Sequence, residues 1–139
     1  MKTRFSSLVK LKKSTMQNSE RVVQKANADL NSAATALKLS YNSLEDVEAP
    51  KTGAMSEFLA SRTLLDSQRG IIQHNKEWVS FAKEQVNKAK EELKLNMIEH
   101  EKFKYLELQE IKKEMKKKKL QEAKDLDEVA LMTYNGKYK

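Results

Sequence analysis

The chain of 139 residues has no cysteine, one proline, three glycines and one tryptophan. Without cysteine there is no disulfide and no thiolate metal site, which fits a reducing compartment. One proline and three glycines leave few places where the backbone can turn sharply, so a loop-rich or many-stranded fold is excluded. Aromatic residues make up 6% of the chain and charged residues 34%, which is too little apolar material for a closed globular core. No apolar run is long enough for a signal peptide or a membrane span, although residues 1–13 start basic. The expected location is the cytoplasm.

What is present is a seven-residue repeat. Val9, Met16, Val23, Leu30, Leu37 and Leu44 form one series, and Phe58, Leu65, Ile72, Val79, Val86 and Leu93 form another. Such a repeat is the seam of a left-handed coiled coil. The two series mirror each other about Lys51, which lies between Pro50 and Gly53. The pattern predicts an all-α fold: a long two-helix antiparallel coiled-coil hairpin with unequal arms, one domain over residues 1–139. The first helix is expected over 4–48, the turn over 49–54 and the second helix over 55–131. Ser56 or Thr52 would cap the second helix, and residues 132–139 would form a frayed tail.

The reflection pairs Leu44 with Phe58, Val23 with Val79, Val9 with Leu93 and Phe5 with Met97. A register slipped by one heptad, or a dimer that swaps arms through the turn, is equally compatible with the repeat. Ala26, Ala28, Ala33, Ala34 and Ala36 are strong helix formers, and small residues at a seam let two helices approach closely. After Leu93 the series meets His100 and Glu107, so the seam is expected to stop there and helix two to continue unpaired. Phe103, Leu106, Leu108, Ile111 and Met115 would then be a stripe for a partner. Beside the seam Arg62, Arg69, Lys76, Lys83 and Lys90 also recur every seven. Their reflected positions, Ser40, Ala33, Ala26, Ser19 and Lys12, carry no acid. The column is read as cover for the seam, with alkyl stems packed and charges in water.

The net charge of +7 is unevenly distributed. Residues 1–25 hold seven Lys or Arg against one acid, residues 26–100 nine against eleven, and residues 101–139 eleven against eight. In a hairpin both basic segments lie away from the turn, which points to an acidic partner at that end. No catalytic constellation is visible. His74 and His100 are the only histidines, neither has metal-ligand spacing around it, and there is no glycine-rich phosphate loop. His100 is read as the wet end of the coil and Trp78 as packing beside the seam. The chain is expected to be no enzyme and to hold no metal or cofactor. The lysine run at 112–119 wraps around a helix and lacks interleaved aromatics, so no nucleic acid is expected. Tyr41, Leu44, Phe58 and Leu59 form an apolar and aromatic cluster near the turn, able to anchor a partner.

Two segments resemble a known family. The opening Arg4-Phe5-Ser6-Ser7-Leu8-Val9-Lys10-Leu11-Lys12-Lys13 and the turn Gly53-Ala54-Met55-Ser56-Glu57-Phe58-Leu59 are similar to those of FliJ, the coiled-coil protein of the flagellar type III export apparatus. The length, the unequal arms and the lysine-rich C-terminal part are similar too. The resemblance implies a stalk like the gamma subunit of rotary ATPases, with the terminal end of the hairpin in the ring of the export ATPase FliI hexamer. It also implies contact with the export-gate protein FlhA, escort of export chaperones, and a peripheral place at the cytoplasmic membrane export apparatus. By position in the hairpin, Arg4, Lys10, Lys12, Lys13, Lys112, Lys113 and Lys116 would bind the ATPase. Tyr41, Leu44, Phe58 and Leu65 would meet the gate. Two other readings stay open. One is a general secretion chaperone of the YscO-like kind, holding amphipathic helices on the stripe from Phe103 to Met115. The other is a basic coiled coil that binds nucleic acid or anionic membrane.

Overall fold

The computed structural model describes residues 2–47 and 53–137. The expected centre of the turn, with Pro50, Lys51 and Thr52, lies outside them. Two helices pack against each other as an all-α hairpin, with no strand among the described residues. Helix α1 spans Ser6–Glu45, 40 residues, and α2 spans Met55–Lys137, 83 residues. The arms are unequal, as the repeat predicted. α1 starts two residues later than expected, and α2 continues to Lys137 through most of the segment read as a frayed tail.

Local chemistry sets the helix ends. At the start of α1, the Thr3 hydroxyl accepts from the Phe5 N–H at 3.1 Å. The Ser6 hydroxyl accepts from the Thr3 N–H at 2.8 Å. This is a reciprocal cap for donors that have no partner within the helix. At the other end the Val47 N–H reaches the Leu44 carbonyl at 3.2 Å, tightening the last turn. α2 opens on the Ala54 carbonyl, which accepts from Glu57 N–H at 3.0 Å and Phe58 N–H at 3.4 Å. Ser56 therefore sits inside the first turn and is not the cap. Gly53 holds φ at +152°, where an L side chain is strained, and a Cβ there would collide with the Glu57 carboxylate.

The packing falls into two units, Gln17–Leu95 and Met1–Met16 with Asn96–Lys139. In the first, the deepest residues of α1 are Ser19, Ala26, Ala33 and Ser40, one every seven; Ala33 is 0% exposed. The large series Val23, Leu30, Leu37 and Leu44 flanks this column and is only half-buried. On α2 the expected series holds the seam: Ile72 and Val86 are buried, and Val79 and Leu93 half-buried.

The register differs from the reflection. Ala26 clusters with Val86 and Ala89, with Val23 and Leu30 packed against them. The Asn75 side-chain amide donates to the Ala36 carbonyl at 3.3 Å. Relative to a mirror about Lys51, α2 is displaced by about ten residues, just under three helical turns. That is more than a one-heptad slip. The reflection set large residues against large ones. The structure instead sets the large series of α2 against the small column of α1. Continued by heptads, Ala26 opposite Val86 places Ala33 opposite Val79 and Ser40 opposite Ile72. A small residue facing a large one fills the seam while the backbones stay close. The Ala36 carbonyl comes within reach of Asn75 for that reason. A polar seam residue with one partner penalises other registers, since a shift would strand its amide.

In the second unit the seam does not stop at Leu93. His100 is 8% exposed, so it is buried rather than the wet end of the coil. Phe103, Leu106, Glu107, Glu110 and Ile111 are half-buried, as are Phe5, Val9 and Lys12 of the first arm. Phe103, Leu106 and Ile111 are thus not the unpaired stripe expected of them, whereas Leu108 and Met115 are exposed. From residue 112 to 135 every side chain is exposed, so the overhang begins at Lys112.

Two outcomes follow from this packing. Because the chain has no cysteine, Ala26→Cys with Val86→Cys should form an intramolecular disulfide under mild oxidation. Val23→Cys with Val79→Cys should not, and the reverse result would restore the reflection about Lys51. Gly70 lies inside α2 and a Cβ there meets nothing within 4 Å. Gly70→Ala should therefore raise stability by about 0.5–1 kcal/mol in thermal or urea unfolding.

Candidate functional site

Sixteen of the 27 lysine and arginine residues fall in the unit that holds both chain ends. Of the seven expected to bind a partner, Arg4, Lys10, Lys13, Lys112, Lys113 and Lys116 are exposed. All lie in Met1–Met16 or Asn96–Lys139, so the structure brings them into one unit. Lys12 is different. Its ammonium lies 3.6 Å from a Glu99 carboxylate oxygen and 5.6 Å from the centroid of the Phe103 ring. A lysine held by a carboxylate and an aromatic face is committed to the hairpin. Arg4 lies over the Phe5 ring at 4.9 Å and 3.8 Å from Glu110, but its side chain is mostly in water. That pair is weak and screened, so Arg4 can exchange partners at little cost.

The residues near the turn fall in the other unit. Tyr41 and Phe58 are exposed, whereas Leu44 and Leu65 are half-buried at seam positions. Lys76 places its ammonium 5.8 Å from the Tyr41 ring centroid. This member of the lysine and arginine column covers an aromatic face; the column itself is exposed throughout. Trp78 and Phe81 are also exposed, at 40% and 58%, and with His74 and Glu77 they line a shallow groove on α2. The expectation that Trp78 simply packs beside the seam misses this second face. Its signal is the spacing of Ile71, His74, Trp78 and Phe81, a three-four repeat one position away from the main seam.

Among the described residues no group of three or more His, Asp or Glu is placed to hold a metal ion. No described helix is long and apolar enough to cross a membrane. The geometry offers surfaces rather than a pocket: two packed arms, a basic unit and an exposed extension of one helix.

The family model for the flagellar FliJ protein matches residues 1–139. The chain belongs to the FliJ family. Neither the curated proteins nor the solved structures contain a match. FliJ is a non-catalytic component of the flagellar export apparatus, so flagellum biogenesis and protein export are the process this chain serves. In this FliJ-family chain the seam of the chain-end unit mixes the polar His100, Glu107 and Lys12 with Phe5, Val9, Phe103 and Leu106. Sequence reasoning missed Glu99 and Phe103 as the partners of Lys12, because reflection about Lys51 opposed Lys12 to Lys90.

So polar a seam should depend on its half-buried aromatic residues, Phe5 and Phe103. Phe103→Ala should speed amide exchange of residues 6–16 about 5–30-fold, as expected for roughly 1–2 kcal/mol of lost packing at a half-buried ring. Exchange over 26–40 should not change. Uniform acceleration of both segments would show that the arms open as one piece.

Proposed function

We propose that this chain acts as a stalk-like coiled coil that binds the ring of the export ATPase FliI and links it to the export-gate protein FlhA. The observation that carries the reading is the exposed overhang from Lys112, which shares a unit with the exposed cations of the first arm. A helix extension with no buried side chain has little reason to be ordered alone and gains from a surrounding partner. Its six lysines between 112 and 119 favour an acidic lining. Lys10, Lys13, Lys112, Lys113 and Lys116 make the contact, with Arg4 beside them, while Lys12 keeps the first arm in place. Gate contact falls to Tyr41 and Phe58, which are exposed, with Leu44 and Leu65 supporting them from the seam. Escort of export chaperones belongs to the same reading, as does a peripheral position at the membrane reached through these partners.

Reversing Lys10, Lys13, Lys112 and Lys113 to Glu should lower affinity for the ATPase by about tenfold or more and abolish stimulation of hydrolysis. The same number of reversals at Arg62, Arg69, Lys83 and Lys90 should leave both intact. Equal loss from the two sets would mean that net charge, not the chain-end unit, drives binding. Unchanged stimulation by the first set would overturn the assignment.

A further inference from the structure

The overhang carries two charge blocks of opposite sign. Residues 112–119 contain six lysines and one glutamate, whereas residues 120–135 contain four acids and one lysine. Both blocks lie on the same uninterrupted helix, and every side chain from 112 to 135 is exposed. An apolar stripe runs through them. Leu108, Ile111, Met115, Val129 and Met132 fall on one helical face at three-four spacing, and between them that face holds Lys118, Glu122 and Asp125. Leu108 is 48% exposed, Val129 57% and Met132 74%. The face is thus apolar at both ends and charged in the middle, with the charges of opposite sign on either side of its centre.

We infer that this overhang pairs with the overhang of a second copy of the chain, antiparallel and crossing near Leu120. In that arrangement the lysine block of each copy lies along the acidic block of the other. Leu108 meets Met132 of the second copy, Val129 meets the part of Ile111 that is left open in its half-buried place, and Lys118 meets Glu122. Each contact occurs twice, as an isologous two-fold interface requires. A parallel pairing in register would stack lysines on lysines and acids on acids, which the charge pattern opposes. An anionic membrane is disfavoured for the same reason, because the acidic block shares the apolar stripe with the lysines. The pairing covers the same overhang that the ATPase reading uses, so a paired chain and a ring-bound chain exclude each other.

The test is sedimentation velocity on the full chain over a range of protein concentration, at about 50 mM salt and again at about 500 mM, where exposed charges are screened. The unchanged chain should move from monomer to dimer as concentration rises, with weaker association at the higher salt. Two charge-swapped variants separate the causes. One replaces Lys116, Lys117, Lys118 and Lys119 with Glu, and the other replaces Glu122, Asp125, Asp127 and Glu128 with Lys. Each alone should dimerise at least about tenfold more weakly than the unchanged chain. An equal mixture should recover a dimer, which also shows that both variants remain folded. A chain that stays monomeric at every concentration would overturn the proposal. So would a dimer indifferent to both swaps, as an arm-swapped dimer would be, or a mixture that stays monomeric when the unchanged chain dimerises. A monomeric chain that still stimulates the ATPase would sink this pairing and leave the ring reading standing.

Discussion

Close approach of two backbones along a column of small side chains is the constraint on which the Gln17–Leu95 unit depends. Ser19, Ala26, Ala33 and Ser40 present almost no bulk, so the larger residues of α2 reach across to α1. An alanine contributes little burial energy of its own. Its value lies in what it lets the opposite helix bury, because a Val or Ile brought against backbone gains contacts that a bulky neighbour would block. The same proximity makes the Ala36 carbonyl available to Asn75, and one directional bond then discriminates among registers that apolar contacts leave nearly equal. The ten-residue displacement from simple reflection is therefore a consequence of volume matching, read along two columns rather than one.

The unit that holds the chain ends is built from different material. His100, Lys12 and Glu107 occupy positions where the other unit has valine and alanine, and the contacts include a charge pair and a cation over a ring. Polar seams of this kind hold a geometry at lower stability than apolar ones, and local opening concentrates where buried apolar contact is least. In this chain the seam is apolar in the Gln17–Leu95 unit and mixed with polar residues in the unit that carries the exposed overhang.

Much of this was legible in the letters. The seven-residue series, the scarcity of glycine and proline and the single helix-breaking segment specified two helices in a hairpin, because each is a local property that no distant contact can reverse. The α2 seam from Ile72 to Leu93 was correct, and so was the grouping of Arg4, Lys10 and Lys112 in one region. The pairing was not legible. Val9 to Leu44 looked like the seam of α1 because hydrophobicity marks large residues, yet the deepest column was Ser19 to Ser40, whose members are hydrophobic weakly or not at all. His100 and Glu107 were discounted for the same reason, although an imidazole and a glutamate stem fit a seam whose opposite arm offers Lys12.

The sequence by itself determined that this chain is helical, that it folds back once, that one arm outlasts the other and that positive charge gathers near its ends. Those follow from periodicity and composition, which act along the chain. Only the tertiary structure decided which residues meet, where the seam ends and which cations remain free. Those depend on how volumes on two helices interlock, and a heptad repeat leaves that open: sliding one arm by a heptad returns nearly the same apolar pattern. The preference resides in differences of side-chain size and in one amide that finds one carbonyl.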